Sequence, residues 1–429
     1  MIKTGGDTVS IYEDVKKEID ALQTEIIDYA KKLIKFPTKS GNEILAQRYV
    51  KEVLEDLDFD YIDMWEPDIN ELKKHEAFVS SRDSFINSPN VVGVLKGTGN
   101  GKSLILNSHI DIVSEGDLNE WSYSPFEGTV VNNKIIGRGV SDMKGVNSAI
   151  FGVLKAFKKL GVKLKGDLIF QSVIEEETGG AGSLACALRG YKADAAIIPE
   201  PVGFKICPAQ QGVLYFKINI PGQSFHGGKR YLGVSAIEKA YKVLLAIESL
   251  EKHRCEIYAS PLYKDVPIPF TINVGTINGG VWPSTVPDLV AIEGRMGVAP
   301  GEKLDNGKKM LENWISEAAD KDSWLKNNRP EVQWLKNFLG SACIENDHEI
   351  VKTAQKAYKR HFNKDAELGG TPFGTDARSL TEFSNTPTIV FGPGSVAHCP
   401  DEYLEIDVLM DYTKVLAEII LDWNEYEKH

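Results

Sequence analysis

Carboxylates and imidazoles recur where apolar segments of this sequence end. The candidates are His109, Asp111, Asp142, the run Glu175-Glu176-Glu177, Glu200 and His398. In open α/β sheets, ligands bind beyond the carboxyl ends of the strands, so these side chains could converge from separate loops. Carboxylates and imidazoles without thiolates suit Zn²⁺, Co²⁺ or Mn²⁺. The pattern therefore indicates a metal centre.

Two divalent ions bridged by a carboxylate would lower the pKa of a bound water and polarise a carbonyl group. A free carboxylate nearby could then act as a general base. The adjacent carboxylates at 175–177 repel one another, and a metal ion would offset that repulsion. This is the chemistry of a two-metal hydrolase.

Each candidate also has an ordinary structural explanation. His109 and Asp111 point to one face of a strand and could be a surface pair, although Asp111 could also set the tautomer of a metal-bound His109. Asp142 could cap a helix, the run at 175–177 could be a solvated turn, and Glu200 lies between two prolines. All these explanations would have to hold together, so a shared site is favoured.

Composition limits the classes of function. The chain has 429 residues, 42% of them hydrophobic, and a formal net charge of −12. That length suggests two or three domains, and without a block of basic residues neither nucleic acid nor a membrane surface is an expected partner. No apolar stretch approaches the roughly 20 residues of a membrane helix. The first residues lack the apolar region of a secretory signal, so a cytoplasmic location is expected.

Phosphate and thiol chemistry are both disfavoured. Gly101-Lys102-Ser103 ends like a phosphate-binding loop, but Lys96 stands where that motif needs glycine, and a strand follows instead of a helix. The five cysteines are scattered and form no C-x-x-C pair. This argues against a disulfide framework and against a cysteine-zinc site.

Hydrophobic periodicity predicts alternating helices and strands in the first half of the chain. The expected helices are 11–35, 43–57, 144–160 and 182–189, and the expected strands are 90–95, 103–109, 166–174 and 193–198. The glycine-rich segment 97–102 predicts a hairpin between two of these strands. Alternation of this kind favours an α/β domain with a mostly parallel, mixed sheet.

The pattern changes near residue 213. Strands and helices between 213 and 335 follow the order β-α-β-β-α-β of a ferredoxin-like unit. After it, helices at 348–361 and 408–426 flank a strand at 386–392. We therefore expect a discontinuous α/β domain at 1–212 and 339–429, with an α+β domain inserted at 213–338.

Five segments together resemble the M20 family of metal-dependent amidohydrolases and peptidases. The family includes acetylornithine deacetylase, succinyl-diaminopimelate desuccinylase, aminoacylase and carboxypeptidase G. The matching segments are Ser108-His109-Ile110-Asp111, Gly137-Arg138-Gly139 with Ser141-Asp142-Met143-Lys144-Gly145, Glu175-Glu176-Glu177 with Gly179-Gly180, Pro199-Glu200-Pro201 and Ala397-His398-Cys399-Pro400-Asp401-Glu402. They follow the family order across most of the chain. The resemblance implies a zinc-peptidase α/β domain with an inserted ferredoxin-like dimerisation lid.

The resemblance also implies roles for single residues. One ion would be held by His109, Asp142 and Glu200, and the other by Asp142, Glu177 and His398. Both would be Zn²⁺, with Co²⁺ or Mn²⁺ as alternatives. Glu176 would be the general base and Asp111 would orient His109. Glu175 stands where the family usually has aspartate, and no catalytic role is implied for it.

The inserted domain and a late loop carry further resemblances. Ser224-Phe225-His226-Gly227-Gly228 resembles the family's lid segment, in which the histidine reaches the partner subunit's site and stabilises the oxyanion; this implies a homodimer. The segment 279–287 resembles the lid's Gly-Gly…Asn-x-Val-Pro signature, which implies a substrate-binding position at Ser284, where the family often has asparagine. Arg378, in a loop resembling the family's Asp-Ala-Arg loop, would bind a substrate carboxylate or form a structural salt bridge.

The resulting hypothesis is hydrolysis of an N-acyl amino acid or a related amine. A dipeptidase or carboxypeptidase with the same machinery is the alternative, with a short peptide as substrate. An amide unrelated to amino acids is also open. A catalytically inactive, binding member of the family is disfavoured because Glu176 and every expected ligand are present.

Overall fold

The computed structural model describes residues 10–335 and 339–427. They form two compact units: the first comprises 10–208, 344–368 and 375–427, and the second comprises 209–335, 339–343 and 369–374. The domain limits of the sequence analysis stay a prediction, and the limit at 338 lies outside the described residues. So do the residues at the start of the chain on which the cytoplasmic expectation rests.

The helices lie in both units. They are α1 (Ile11–Ala21), α2 (Gln23–Ile34), α3 (Ile44–Asp56), α4 (Ile69–Leu72), α5 (Gly145–Leu160), α6 (Ala181–Leu188), α7 (Ala236–Ile257), α8 (Leu304–Asp320), α9 (Glu349–Phe362) and α10 (Ile406–Asn424). The helix expected over 11–35 is interrupted at Leu22, where the backbone leaves helical geometry (ψ 1°). Within the described residues, no helix has the length and apolar character needed to cross a bilayer.

The strands are mostly short. They are β1 (Tyr61–Trp65), β2 (Asn90–Leu95), β3 (Leu104–His109), β4 (Thr129–Val131), β5 (Lys134–Ile136), β6 (Leu168–Val173), β7 (Ala195–Ile198), β8 (Ile206–Gln210), β9 (Gly212–Pro221), β10 (Ile272–Gly279), β11 (Leu289–Val298), β12 (Glu331–Trp334), β13 (Ala342–Cys343), β14 (Leu368–Thr371), β15 (Thr388–Val390) and β16 (Tyr403–Glu405).

The first unit is built on a mixed sheet in the order β1-β2-β6-β3-β7-β15-β8. The central strands β6, β3, β7 and β15 are parallel, and the pairs nearer the edges are antiparallel. Every residue of β3, β6 and β7 is buried, as expected for parallel strands covered on both faces. Helix α5 packs against α2 and α10. The α/β expectation is confirmed.

The predicted hairpin between β2 and β3 is wrong. Strand β6 lies between them, antiparallel to β2 and parallel to β3. The glycine-rich composition of 97–102 indicates a turn but carries no information about which strands pair. Instead, this turn lies against the segment before β6, where Gly99 N–H donates to the carbonyl of Lys165 over 2.9 Å.

The second unit contains the β-α-β-β-α-β order expected from the sequence. Its antiparallel sheet has the order β10-β11-β9-β12, and α7 packs on three of these strands and on α8. Alternate residues of β9 are buried, so one face of the sheet meets the helices. The ferredoxin-like expectation is therefore met in element order and in pairing.

Candidate active site

Three adjacent parallel strands of the first unit end beside one another and place most of the candidate residues. His109 is the last residue of β3, Glu200 follows β7, and the run 175–177 follows β6. Because parallel strands share their carboxyl edge, these side chains meet at one end of the sheet. The side chains that the sequence analysis grouped from separate segments are therefore neighbours.

His109 is the centre of a first group of ligating atoms. Its Nε2 lies 2.9 Å from Oδ1 of Asp142 and 4.0 Å from Oε1 of Glu200. One ligand atom from each of His109, Glu176 and Glu200 lies within 4.8 Å of the others. The imidazole is 1% exposed, so this group is closed to bulk water on the His109 side.

A second group shares Asp142 with the first. Nε2 of His398 lies 3.2 Å from Oδ2 of Asp142 and 3.1 Å from Oε1 of Glu177. The two oxygens of Asp142 therefore face different imidazoles, His109 on one side and His398 on the other. That is the arrangement that a carboxylate shared between two ions requires.

Burial raises the pKa of two of the clustered carboxyls, while hydrogen bonds lower that of a third. Burial raises the pKa of Glu176 well above the usual range, and the nearby charge of Glu200 raises it further. It raises the pKa of Glu200 in the same way, with a second contribution from Asp142. Burial alone would also raise the pKa of Asp142, but hydrogen bonds with the two imidazoles hold it below its usual range. The cluster thus concentrates negative charge that a cation would offset.

The pKa values of the two imidazoles are shifted in the direction opposite to that expected from burial. Hydrogen bonds to Asp142 and Glu177 raise the pKa of His398 to about 10. Burial opposes the charged form of His109, yet the hydrogen bond and the charge of Asp142 raise its pKa well above the ordinary value. Both rings thus lie in a strongly negative field, as metal-ligating imidazoles do beside carboxylates.

The donor set fits divalent ions. Oε1 of Glu200 is buried and has no hydrogen-bond partner among the residues that the structure describes. A buried carboxylate oxygen without a partner carries a desolvation cost that coordination would remove. Imidazole nitrogens and carboxylate oxygens are the ligands expected for Zn²⁺ or similar ions.

Asp111 lies under the cluster and makes two kinds of contact. Its backbone carbonyl is 3.0 Å from Nδ1 of His109, whereas its carboxylate oxygen is 3.7 Å from that nitrogen. The carboxylate instead accepts hydrogen bonds from the backbone N–H groups of Glu176 (3.3 Å) and Glu177 (3.1 Å). Burial raises the pKa of Asp111 to about 8. One residue thus contacts both the imidazole and the acidic loop.

The loop that carries Asp142 is fastened by Glu402. The carboxylate of Glu402 accepts hydrogen bonds from the backbone N–H groups of Ser141 (3.0 Å) and Asp142 (3.3 Å). Its other oxygen accepts from Nη1 of Arg138 over 2.5 Å. Glu402 lies four residues after His398, so its hydrogen bonds join the segment that carries His398 to the segment that carries Asp142.

Arg378 is occupied within the protein. Its Nη2 donates to the backbone carbonyl of Gly179 over 2.6 Å, and the residue is 3% exposed. Its neighbour Asp376 accepts from the hydroxyl of Ser183 over 2.7 Å. The side chain therefore holds the loop after Glu177, and its expected contact with a substrate carboxylate stays a prediction.

His226 and Ser284 belong to the second unit and lie close together there. Both are exposed, and Gly227 N–H donates to the carbonyl of Ser284 over 2.7 Å. Nδ1 of His226 accepts from Gly228 N–H over 3.1 Å, which orients the ring. Their roles toward substrate stay predictions.

Sequence reasoning missed the residues that hold the candidate ligands in place. Arg138 and Glu402 lie inside the recognised segments, so their position next to ligands was the available signal. Arg82 and Ser80, which contact Glu175, lie in an irregular segment without periodicity or a motif. Nothing in their spacing points to the site.

Comparison with known proteins extends these observations. Residues 105–422 match the model of peptidase family M20/M25/M40. Two relatives are N-formyl-4-amino-5-aminomethyl-2-methylpyrimidine deformylases. The protein of Halalkalibacterium halodurans is 33% identical to this chain, and the alignment covers 98% of this chain and 99% of the relative. The protein of Bacillus subtilis is 31% identical, and the alignment covers 96% of this chain and 98% of the relative. A probable succinyl-diaminopimelate desuccinylase of Staphylococcus aureus is 25% identical over 94% of this chain and 98% of its own.

Solved structures share the fold. A tripeptidase from Staphylococcus aureus superposes with a TM-score of 0.72 at 21% identity, covering 94% of this chain and 98% of its own. A dinuclear metal-binding M20 peptidase from Bacillus subtilis superposes with a TM-score of 0.65 at 18% identity, covering 94% and 98%. The family match spans more than half of the sequence, and the deformylases align over nearly all of it. The chain therefore belongs to peptidase family M20/M25/M40, and it is a hydrolase that acts on C–N bonds.

Proposed function

We propose that this protein removes a short acyl group from an N-acylated amine, with N-formyl-4-amino-5-aminomethyl-2-methylpyrimidine as the first substrate to test. The observation that carries the proposal is the convergence of two imidazoles and four carboxylates at the carboxyl edge of β6, β3 and β7. The full-length similarity to two deformylases supports the choice of acyl group and amine.

Two divalent ions would be held in this cluster, Zn²⁺ first and Co²⁺ or Mn²⁺ as alternatives. The ligands would be His109, Asp142 and Glu200 for one ion and Asp142, Glu177 and His398 for the other. Such ions lower the pKa of a bound water and polarise a carbonyl oxygen.

Glu176 would be the general base. Its carboxylate lies in the same group of ligating atoms as His109 and Glu200, but it belongs to neither proposed ligand set. It would take one proton from the attacking water while the hydroxyl oxygen bonds to the acyl carbon. It would then give that proton to the nitrogen as the C–N bond breaks. The products are formate, or another short carboxylate, and the free amine.

The contacts of Arg378 favour an amine over an amino acid as the leaving group. An amino-acid substrate brings a carboxylate that arginine would bind bidentately. Here the guanidinium is buried and donates to Gly179, so it would have to leave that carbonyl first. A neutral or cationic heterocyclic amine needs no such partner, and an N-acyl amino acid is the second candidate.

We further propose a homodimer through the inserted domain, with His226 stabilising the oxyanion in the partner's site. The support is the resemblance of the segment around His226 and its exposure in the second unit. Mixing His226→Ala subunits with Glu176→Gln subunits should restore part of the activity that each variant lacks alone. Heterodimers without recovery would contradict action across the dimer.

The test is release of free amine from a panel of amides. The panel contains the N-formyl aminomethylpyrimidine, N-formyl, N-acetyl and N-succinyl amino acids, and dipeptides. Each is offered to chelator-treated protein and to the same protein supplied with Zn²⁺ or Co²⁺. Glu176→Gln, which changes one atom of the side chain, is the matched control for contaminating hydrolase.

Metal-dependent release from the formylated pyrimidine, absent in Glu176→Gln, is the expected result. Release from acylated amino acids alone would support the deacylase activity but identify the second candidate, an N-acyl amino acid, as the substrate. Turnover of dipeptides alone would replace the proposal by a peptidase. Release from none of these compounds by metal-loaded protein would refute the proposal.

A further inference from the structure

The carboxylate of Glu175 points away from the metal ligands and into a cluster of its own. It is fully buried, and Oε2 accepts hydrogen bonds from the hydroxyls of Ser80 (2.8 Å) and Thr178 (2.8 Å). Oε1 accepts from Nη1 of Arg82 (3.2 Å) and from the hydroxyl of Ser40. Glu175 is therefore held by four donors, none of which is a proposed metal ligand.

The backbone at Glu175 is in the left-handed region, with φ 62°. That conformation is uncommon for a residue with a side chain. Here it turns the chain from the end of β6 into the single 3₁₀ turn Glu176–Thr178. The carbonyl of Glu175 accepts from Gly180 N–H over 2.6 Å, which closes the turn. The side-chain contacts therefore hold a turn that sterics alone would not favour.

Arg82 connects this turn to a second buried glutamate. Its Nη2 donates to the hydroxyl of Ser88 over 2.8 Å, and that hydroxyl donates to Oε2 of Glu43 over 2.5 Å. The carboxylate of Glu43 is also held by Gly41 N–H. One arginine thus joins three segments that are distant in sequence.

Two sets of hydrogen bonds hold the turn that begins at Glu175. On one side Asp111 accepts the backbone N–H groups of Glu176 and Glu177. On the other side the Glu175 side chain is tied to Arg82 and Ser80. Glu176 and Glu177, the proposed base and a proposed ligand, follow Glu175 directly and carry the N–H groups that Asp111 accepts, so both anchors act on the backbone of these two residues.

We infer that Arg82 and Ser80, acting through Glu175, are positioning residues that set the location of Glu176 and Glu177. The inference rests on the proposed function for its catalytic readout, but it also predicts an effect on metal affinity through Glu177. Outer contacts that orient ligands change metal affinity or activity by about 10- to 100-fold when removed.

Arg82→Met and Arg82→Lys are the main variants. Arg189→Met and Arg189→Lys are the matched controls, because Arg189 also pairs with a carboxylate, Asp63, in the same unit and contacts none of the ligands. For each variant we would measure kcat, KM, the thermal unfolding midpoint, and Zn²⁺ affinity by competition with a chromophoric chelator.

Arg82→Met is expected to lower kcat or Zn²⁺ affinity by about 10- to 100-fold, with KM unchanged. Arg82→Lys should recover part of the loss because it keeps the charge beside Glu175. The Arg189 variants should keep the wild-type kcat and affinity. If Arg82→Met lowers only the unfolding midpoint, as a merely structural residue would, the inference is wrong.

The inference can still be tested if Arg82→Met fails to fold or if the wild-type protein lacks amide hydrolysis. If Arg82→Met does not fold, Ser80→Ala removes one donor to Glu175 and keeps the ion pair; wild-type kcat and Zn²⁺ affinity in that variant would overturn the inference. If the wild-type protein hydrolyses none of the amides, the proposed function fails, and Zn²⁺ affinity alone then decides the role of Arg82.

Discussion

Two loops of the first unit place carboxylates of the candidate centre, and each is held by a glutamate paired with an arginine. Glu402 fastens the loop of Asp142 by accepting its backbone N–H and by pairing with Arg138. Glu175 fastens the loop after β6 by pairing with Arg82 and by accepting three hydroxyl groups. A buried glutamate paired with an arginine thus holds both loops, although the two pairs lie in different surroundings.

The surroundings differ in regularity. Glu402 directly precedes β16, which pairs with β5, and the side chain of Arg138 is 3% exposed. Arg82 lies on an irregular segment and its side chain is 16% exposed. An anchor at the end of a strand pair has little freedom to move, whereas an anchor on a loop depends on its hydrogen bonds. We therefore expect that disrupting the Glu402 pair lowers the free energy of unfolding more, and that disrupting the Glu175 pair lowers kcat more.

Replacing the proposed base is expected to have the largest effect. Glu176→Gln removes the proton acceptor but leaves the proposed ligands in place, so kcat should fall by about 10²- to 10⁴-fold. Metal content, measured by atomic emission, should stay at the wild-type value. If Glu176→Gln retained its activity, Glu176 would not be the general base, and the Glu175 anchor could affect turnover only through Glu177.

Arg138→Met tests the anchor at the end of the strand pair. It leaves the carboxylate of Glu402 buried without its cation, and breaking a buried pair in this way typically costs about 3–5 kcal/mol. Urea unfolding followed by circular dichroism measures the free energy of unfolding. Adding Glu402→Gln to this variant should recover part of the loss. A cost no larger than that of an exposed pair would show that Glu402 does not depend on Arg138.

Arg82→Met tests the anchor on the loop by the same measurement. The hydrogen bonds lost are charge-assisted but partly open to water, so the free energy of unfolding should fall by about 1.5–3 kcal/mol. The loss should be smaller than for Arg138→Met while the effect on kcat is larger. The reverse order for both quantities would invert the division of roles between the two anchors.

Much of this site could be predicted because it consists of histidines and carboxylates, and such residues seldom recur together at the ends of apolar segments. His109, Asp142 and Glu200 each follow or precede an apolar segment, and the carboxyl edge of parallel strands brings such positions together whatever the intervening chain does. The ferredoxin-like order could be predicted because alternation in the strands and helical spacing are both local patterns.

Other features depend on contacts that no local pattern encodes. The segment 97–102 has a turn composition, yet β6, which follows more than sixty residues later, separates the strands that it joins. The run 175–177 suggested adjacent carboxylates whose mutual repulsion a metal ion would offset, but Glu175 turns to hydroxyls and to Arg82. Partner choice of this kind is set by tertiary packing, which single positions do not reveal.

Ser80→Ala is the smallest and sharpest test of the loop anchor. Ser80 and Ser84 each accept a backbone N–H two residues further on, over 3.1 and 3.2 Å, but only Ser80 also donates to Glu175. Ser84→Ala is therefore a matched control. The free energy of unfolding should fall by about 0.5–1.5 kcal/mol more in Ser80→Ala than in Ser84→Ala, which is the net value of one hydrogen bond. Equal losses in urea unfolding would mean that the hydroxyl of Ser80 contributes nothing to holding Glu175, and this would contradict the positioning role inferred for Ser80.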